Sequence, residues 1–508
     1  MARAVSPELI EQTTRDAVMR AAGAAAFDAD SSAPVFVRSA PARLDVLGGL
    51  AAEAGATVAQ MALPRRAAVG VQSRSDGKLV IFSEAMVPPV GEPLFEFDVS
   101  TDTADAKRMG AQAVGPASWA RPLIGAWCAA AQVLQRERPA TTENLKRGAT
   151  IAVHSDIAIN AGQASSTACV TAAVLALLAW ANHETQRPLQ FEPLEMALLI
   201  HRAETMFAGA SHGHVVDAFT CLSASDGPPA HVLRYSAQPH TLVGQAIVPG
   251  DLRLLAFDTG IRYGAAGETL RGLRLAAAMG LKIIETIYRD LGQRHTPLHG
   301  YVANVSPLLY RQYFRSLLPK RMRGSDFVRS YGAVPEKAGV IDGKAMYRVR
   351  TAVDHLIAEH EHAEQFMQAI EELTDPESEV SLVASPDKPR RTAVNDRLAM
   401  VLRRQVFHRA GRLLLASHHS YRLRLELSCR EADWLVDHLM AAGPAKGVFG
   451  ARITGCGGGG TVLALLDHSS DANDVLLDTL AAYPKITGLQ LGIAEAGTRN
   501  SVGALLRN

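Results

Sequence analysis

Apolar positions recur along this chain with two spacings. Residues 94–99, Leu94-Phe95-Glu96-Phe97-Asp98-Val99, largely alternate and predict a strand with one buried face. Shorter apolar runs predict strands over 35–37, 67–72, 78–82, 150–153 and 252–257. The first leads into a loop at Ala40-Pro41; the second and third are joined through Asp76-Gly77, a hairpin signal. Residues 168–180 are apolar nearly all round and predict a buried helix, followed by another over 192–207. A composition shift near Gln245 precedes long helical patterns over 269–291, 345–373 and 396–417. Between them, 295–344 is richer in Pro, Gly and Arg and predicts a segment crossing the surface or reaching into a cleft. The last part predicts strands over 449–454, 462–466 and 489–494, with amphipathic helices over 432–440 and 471–482. Residues 1–27 carry Arg3, Glu8, Glu11, Arg15, Asp16 and Arg20, which predicts a polar amphipathic helix and not a secretory signal. The pattern contains no internal repeat and gives a mixed α/β (α+β) class in two domains, 1–245 and 246–508.

A chain of 508 residues has the length of two ordinary domains, and 48% hydrophobic content with a net charge of +1 excludes general disorder. The balance of 52 basic and 51 acidic residues gives no pull toward nucleic acid or membrane. The longest apolar run, 172–181, is about half a bilayer span. Cys128, Cys169, Cys221, Cys429 and Cys456 are odd in number and form no C-x-x-C pair. A disulfide framework is excluded, zinc is disfavoured, and a reducing cytoplasm is expected.

Three segments carry candidate chemistry. Ala40-Pro41-Ala42-Arg43-Leu44-Asp45-Val46-Leu47-Gly48-Gly49 brings an Arg close to paired glycines. Asn160-Ala161-Gly162-Gln163-Ala164-Ser165-Ser166-Thr167-Ala168 is a small-residue loop opening a helix. Such a loop leaves backbone N–H groups free for phosphate, and its hydroxyls are Mg²⁺ ligands or phosphate contacts. Thr454-Gly455-Cys456-Gly457-Gly458-Gly459-Gly460-Thr461 separates two strands, and so much glycine implies a tight turn or a close backbone approach. Taken singly, a Gly-rich stretch reads as a plain turn and Ser-Ser-Thr as a helix N-cap. The Gly-Lys of a Walker loop is missing.

In this order and spacing the three segments resemble the three motifs of the GHMP small-molecule kinases. The resemblance continues through Arg202-Ala203-Glu204, Gly209-Ala210 and Asp217, then Ser417-His418-His419-Ser420 and Leu425-Glu426-Leu427-Ser428-Cys429, as galactokinases carry them. Arg43 to Gly49, Asp258-Thr259-Gly260-Ile261-Arg262, and Ser306-Pro307 with Tyr310 resemble the L-arabinokinase branch. The similarity runs over about residues 35–500.

This resemblance implies a two-domain GHMP fold with the active site in the interdomain cleft. It implies transfer of phosphate from ATP, with Mg²⁺, to a small-molecule sugar at the anomeric hydroxyl, L-arabinose and galactose being the candidates. Asp217 would accept or orient the hydroxyl proton, and Arg43 would keep it ionised and stabilise the transferring phosphoryl. Gly162, Gln163, Ala164, Ser165, Ser166 and Thr167, with Gly455, Gly457 and Gly458, would hold the nucleotide. Ser166 or Thr167 with Glu204 would hold the metal. Asp45, Gly49, Glu53, His214 and Asp217 would face the sugar. No nucleic-acid or membrane partner is implied, and oligomeric state is left open.

The sequence departs from the family pattern at three places. Counting on from Glu204, the family's catalytic Asp falls on Val216, one place before Asp217. The Asp-Tyr pair expected after the first glycines is Ala52-Glu53, and Gln163 stands at the second glycine of the phosphate loop. These changes keep two other readings open: a non-catalytic sugar or nucleotide sensor, and a kinase for a uronic acid or another small alcohol. Arginines between 321 and 329 would serve a uronate carboxylate. His212-Gly213-His214 reads as pocket-shaping loop in preference to a metal pair. Lys388-Pro389-Arg390-Arg391, Arg262 and Arg271 read as surface charge.

Overall fold

The computed structural model describes residue 27 and residues 33–86, 91–99, 105–138, 142–183, 189–207, 214–223, 231–262, 267–293, 295–375 and 393–496. The expected N-terminal helix, Gly209-Ala210, His212-Gly213 and the basic run 388–391 lie outside these residues.

Seven strands build the first sheet: β1 (Val35–Leu47), β2 (Thr57–Ser73), β3 (Lys78–Ser83), β4 (Leu94–Asp98), β5 (Gly148–Ser155), β6 (His231–Ala237) and β7 (His240–Ile247). Their order is β4-β3-β5-β2-β6-β7, with β1 paired to β2 off this path. The second sheet holds β8 (Leu252–Asp258), β9 (Val448–Ile453), β10 (Thr461–Asp467) and β11 (Gly492–Glu495) in the order β9-β10-β8-β11, all antiparallel.

The Asp76-Gly77 turn does not make a hairpin. β5 lies between β2 and β3, antiparallel to one and parallel to the other. Its entry captures the turn: Arg74 N–H donates to the Gly148 carbonyl and Gly77 N–H to the Arg147 carbonyl. A turn signal is local, whereas strand neighbours are chosen by how all apolar faces bury together. Nor is Ala40-Pro41 a loop. β1 runs through it, with Pro41 opposite Arg66 and Arg43 opposite Ala62. The resulting bulge accommodates a proline that donates no ladder hydrogen bond. The first motif is therefore held in a strand, which fixes Arg43 and Asp45 on a rigid frame.

Helices α1 (Arg121–Glu137), α2 (Ser165–Asn182), α3 (Pro193–Glu204) and α4 (Val215–Ser223) pack together with the first sheet. α1 escaped the sequence reading, although its Trp127 is completely buried. α2 is long and apolar enough to cross a bilayer, yet it lies against β1, β2, α1 and α3 as a core helix. Helices α5 (Gly267–Asp290), α6 (Val349–Thr374), α7 (Ala393–His419), α8 (Arg430–Ala442) and α9 (Ser470–Thr487) complete the longer elements. Short helical turns occupy much of 295–344.

One apolar core joins the two sheets. Leu254 of β8 and Leu463 of β10 share it with Val69 of β2, Phe366 of α6 and Phe407 of α7. α6 packs on β2 and α5, so this late helix reaches back onto the first sheet. A second core lies between β9, β10 and helices α8 and α9, and a third between α5 and the first half of α6. These contacts bring the first motif, the loop before α2 and the Gly-rich loop after β9 to one junction.

Candidate active site

At that junction Arg43 of β1 meets Asp217 in the first turn of α4. Arg43 Nε donates to Asp217 Oδ1 at 2.6 Å, and Gln60 of β2 donates its Nε2 to the same oxygen at 2.8 Å. Asp217 Oδ2 accepts the His214 N–H at 3.0 Å. Arg43 and Asp217 are 8% and 1% exposed, so the pair is shielded from bulk water. Burial pushes the Asp217 carboxyl up, but the charges and hydrogen bonds of Arg43 and His214 outweigh it and hold it at about 2. Burial likewise opposes the Arg43 cation, and Asp217 more than offsets it, so the guanidinium stays charged. Val216, the position counted from the family spacing, is an apolar buried neighbour. The charged partner is Asp217.

Arg43 also ties this pair to the loop before α2. Its Nη1 donates to the Gly162 carbonyl at 3.0 Å, and its backbone N–H to the Gln163 carbonyl at 3.1 Å. Asn160, Gly162 and Ala164 have φ values of 57°, 76° and 58°, so alternate residues of the loop take the left-handed conformation. Such alternation turns successive amides toward one concave surface. The helix N-cap is Ala164, and no side chain caps it. The Ser-Ser-Thr hydroxyls thus leave the N-terminal amides of α2 without a side-chain cap, at the positive end of an 18-residue helix.

Gln163, standing where the family has a glycine, is buried, and its Nε2 donates to Thr461 Oγ1 at 3.1 Å. Thr461 Oγ1 in turn donates to the Ala161 carbonyl at 2.7 Å. The substitution adds a strut to the Gly-rich loop. Gly460 sits against the same segment, with φ of 82°; a Cβ there would lie 2.5 Å from the Ala161 oxygen. This loop is a wedge between segments and not a free turn. Gly455 faces Gly162 and Arg43, while Gly457 and Gly458 close on Leu427, whose carbonyl accepts the Gly458 N–H at 2.7 Å.

Beside the loop, Thr167 Oγ1 lies 3.0 and 2.9 Å from the two Glu204 carboxylate oxygens, and both residues are buried. Ser166 Oγ is buried without a hydrogen-bond partner. Two hydroxyls and one carboxylate beside uncapped amides form an oxygen-only donor set. That set suits Mg²⁺, which takes few protein ligands and completes its shell with phosphates and water. Among the described residues no group of three His, Cys, Asp or Glu side chains forms a metal cage. A metal bound here would need ligands beyond these side chains.

The expected sugar-facing residues divide. Glu53 and His214 line a cavity of about 610 Å³ next to Asp217, together with His201, His240, Arg274 and Tyr301. Glu53 forms an ion pair with Arg274 of α5, and its Oε1 is 3.9 Å from His214 Nε2. Asp45 and Gly49 do not line this cavity. Asp45 is fully buried, accepts the Gly455 N–H at 3.0 Å, and faces Arg452 at 3.7 Å. Gly49 leaves room for it, since a Cβ there would fall 2.4 Å from Asp45 Oδ2. Arg321, Arg323 and Arg329 are exposed and do not line the cavity either. Arg262 pairs with Asp258, and Arg271 lies near Glu268.

Sequence reasoning missed Gln60, Glu359 and Arg452. Arg452 is wholly buried in β9 and donates to the Val46 carbonyl at 2.8 Å. Its Nη1 lies 3.8 Å from Glu359 of α6, which accepts the Gly48 N–H at 3.2 Å. Burial pushes the Glu359 carboxyl up, but Arg452 and the neighbouring histidines bring it well below the usual range. A signal existed for Arg452, a lone charge between Ala451 and Ile453 in a predicted strand. Gln60 was likewise the polar residue in the apolar run Val58-Ala59-Gln60-Met61-Ala62-Leu63. Polar groups at buried strand positions need partners, which marks them for scrutiny.

Residues 126–225 match the family model for the GHMP kinases N terminal domain, and residues 401–485 that for GHMP kinases C terminal. The chain is 26% identical to L-arabinokinase of Arabidopsis thaliana over 89% of its own length and 45% of that protein's. It therefore spans less than half of this relative. It is 23% identical to galactokinase of Chloroflexus aurantiacus over 86% of the chain and 85% of the relative. The galactokinase of Lactococcus lactis, solved with galactose, superposes with a TM-score of 0.62 at 16% identity, covering 91% of this chain and 93% of that one. Both domain models match in order and the galactokinase fold is shared over 91% of the chain: the chain carries the N-terminal and C-terminal domains of the GHMP kinases and is similar to galactokinase and L-arabinokinase.

Proposed function

We propose that this protein is an ATP-dependent sugar kinase that phosphorylates a monosaccharide at its anomeric hydroxyl. The observation that carries the reading is the buried Arg43–Asp217 pair, held at 2.6 Å between an uncapped helix start and a cavity. The similarity to L-arabinokinase and galactokinase supports the acceptor class.

The chemistry follows from positions. Phosphoryl transfer passes through a loose transition state in which charge spreads over the transferring oxygens, so placement and electrostatics do most of the work. The amides at the start of α2 and the Ser165 and Ser166 hydroxyls receive the nucleotide phosphates. Thr167, Ser166 and Glu204 would hold Mg²⁺, which when bound would offset phosphate charge. Asp217 is ionised at neutral pH and, at about 2, is a weak base. Its role is to orient the acceptor hydroxyl and take the proton late, when bond formation has made that hydroxyl acidic. Arg43 keeps Asp217 aimed and presents its guanidinium to the moving phosphoryl.

The test is an ADP-release assay over L-arabinose, D-galactose, L-fucose, D-galacturonate and D-glucuronate, for wild type and Asp217→Asn, with phosphorus NMR of the product. Turnover of one sugar as its 1-phosphate, lost in the variant, is the expected result. Full activity in Asp217→Asn rejects the role given to Asp217. ATP binding without turnover on any sugar supports a sensor instead.

A further inference from the structure

Three histidines line the 610 Å³ cavity, and each brings one unsatisfied ring nitrogen. His201 Nδ1 from α3, His214 Nε2 from the turn before α4, and His240 Nδ1 from the start of β7 are buried without a hydrogen-bond partner. An imidazole nitrogen left unpaired in a protein interior is costly, and three on one cavity imply a ligand that supplies the partners. Burial lowers the pKa of His201, helped by His214, and burial lowers that of His240. Both are neutral at pH 7 and present one donor and one acceptor each.

Among the described residues that line the cavity, the Lys, Arg and Glu charges cancel. Arg274 and Lys282 stand against Glu53 and Glu285, and Arg274 is already paired with Glu53. Leu50, Ala52, Val216 and Leu281 supply much of the remaining wall. A carboxylate entering here finds no cation in excess among the described residues, and burying an unmatched charge is far more costly than burying a hydroxyl.

We infer that the acceptor is an uncharged polyhydroxylated molecule whose hydroxyls are read by His201, His214 and His240, with an apolar flank against Leu50 and Leu281. This rests on the kinase reading above and narrows it: neutral sugars are admitted and uronic acids are not.

Isothermal titration calorimetry on the full chain tests this without turnover, in the presence of a non-hydrolysable ATP analogue. The probes are L-arabinose and D-galactose against D-galacturonate and D-glucuronate, for wild type, His201→Leu, His240→Leu and His240→Asn. The expected result is binding of at least one neutral sugar and at least tenfold weaker binding of both uronates. Each Leu variant then weakens that sugar roughly 5- to 100-fold while leaving the affinity for the ATP analogue unchanged, and His240→Asn restores part of the loss. Tighter binding of a uronate, Leu variants that bind as wild type does, or no sugar binding at all each overturns the inference. Galacturonate turnover that depends on Asp217 would sink this inference and spare the kinase reading. Neutral-sugar binding lost in the Leu variants but never followed by ADP release would do the reverse.

Discussion

Gly48 of the first motif donates its backbone N–H to Glu359 Oε2 of α6 at 3.2 Å, across 311 positions of sequence. Through Arg452, 3.8 Å from Glu359 and 3.7 Å from Asp45, the same contact reaches the Gly-rich loop. All three charged side chains are at most 1% exposed. This cluster fixes how the two sheets meet, and with it the distance between the phosphate loop and the Arg43–Asp217 pair.

Removing one member of such a cluster leaves the others charged and unmatched. Glu359→Leu is expected to cost about 3–5 kcal/mol, the range for breaking a buried pair, and to lower the calorimetric melting temperature. Glu359→Gln, which retains an acceptor for Gly48, should lose less. Equal losses in the two variants would show that the Gly48 hydrogen bond adds nothing.

Acid should unfold the protein partly through Asp217. Its carboxyl lies at 3.8 when unperturbed and at about 2 in the fold, so its stabilising contribution is complete above pH 4 and lost as pH falls through 2. A shift of that size corresponds to about 2 kcal/mol. Asp45, raised by burial, acts in the opposite direction near the same pH. Urea midpoints measured from pH 5 to pH 2 should fall more steeply in wild type than in Asp217→Asn; parallel curves would contradict the assigned shift.

Gly460→Ala places a Cβ 2.5 Å from the Ala161 carbonyl at a φ that L-residues avoid. The variant is expected to fold less stably, by about 1–3 kcal/mol. It should also bind ATP more weakly, because the loop it displaces is the phosphate loop. Gly488→Ala has a similar φ of 74° but an open surrounding, and serves as the control for backbone strain alone. If both variants keep wild-type ATP affinity, the wedge does not shape the nucleotide site.

Thr167→Val removes the hydroxyl that Glu204 engages at 2.9 and 3.0 Å. The Mg²⁺ concentration needed for half-maximal ADP release is expected to rise roughly tenfold, as one metal contact and one carboxylate orientation are lost together. An unchanged Mg²⁺ requirement would exclude this pair as the metal site.

The sequence determined most elements and the chemistry they carry. Periodicity located α2, α3 and the long helices α5, α6 and α7 because those segments bury a continuous face wherever they pack. Three motifs in order, with Glu204 and Asp217 between, were enough to suggest the family. Tertiary structure decided what local signals cannot encode. It placed β5 between β2 and β3 and ran β1 through Pro41. It paired Asp217 with Arg43 in spite of the one-residue offset, because α4 supplies the carboxylate at whichever position faces β1. It also withdrew Asp45 from the cavity and gave it to Arg452. A buried charge takes its role from the partner the fold brings to it, and partners hundreds of residues apart leave no mark in any one stretch of sequence.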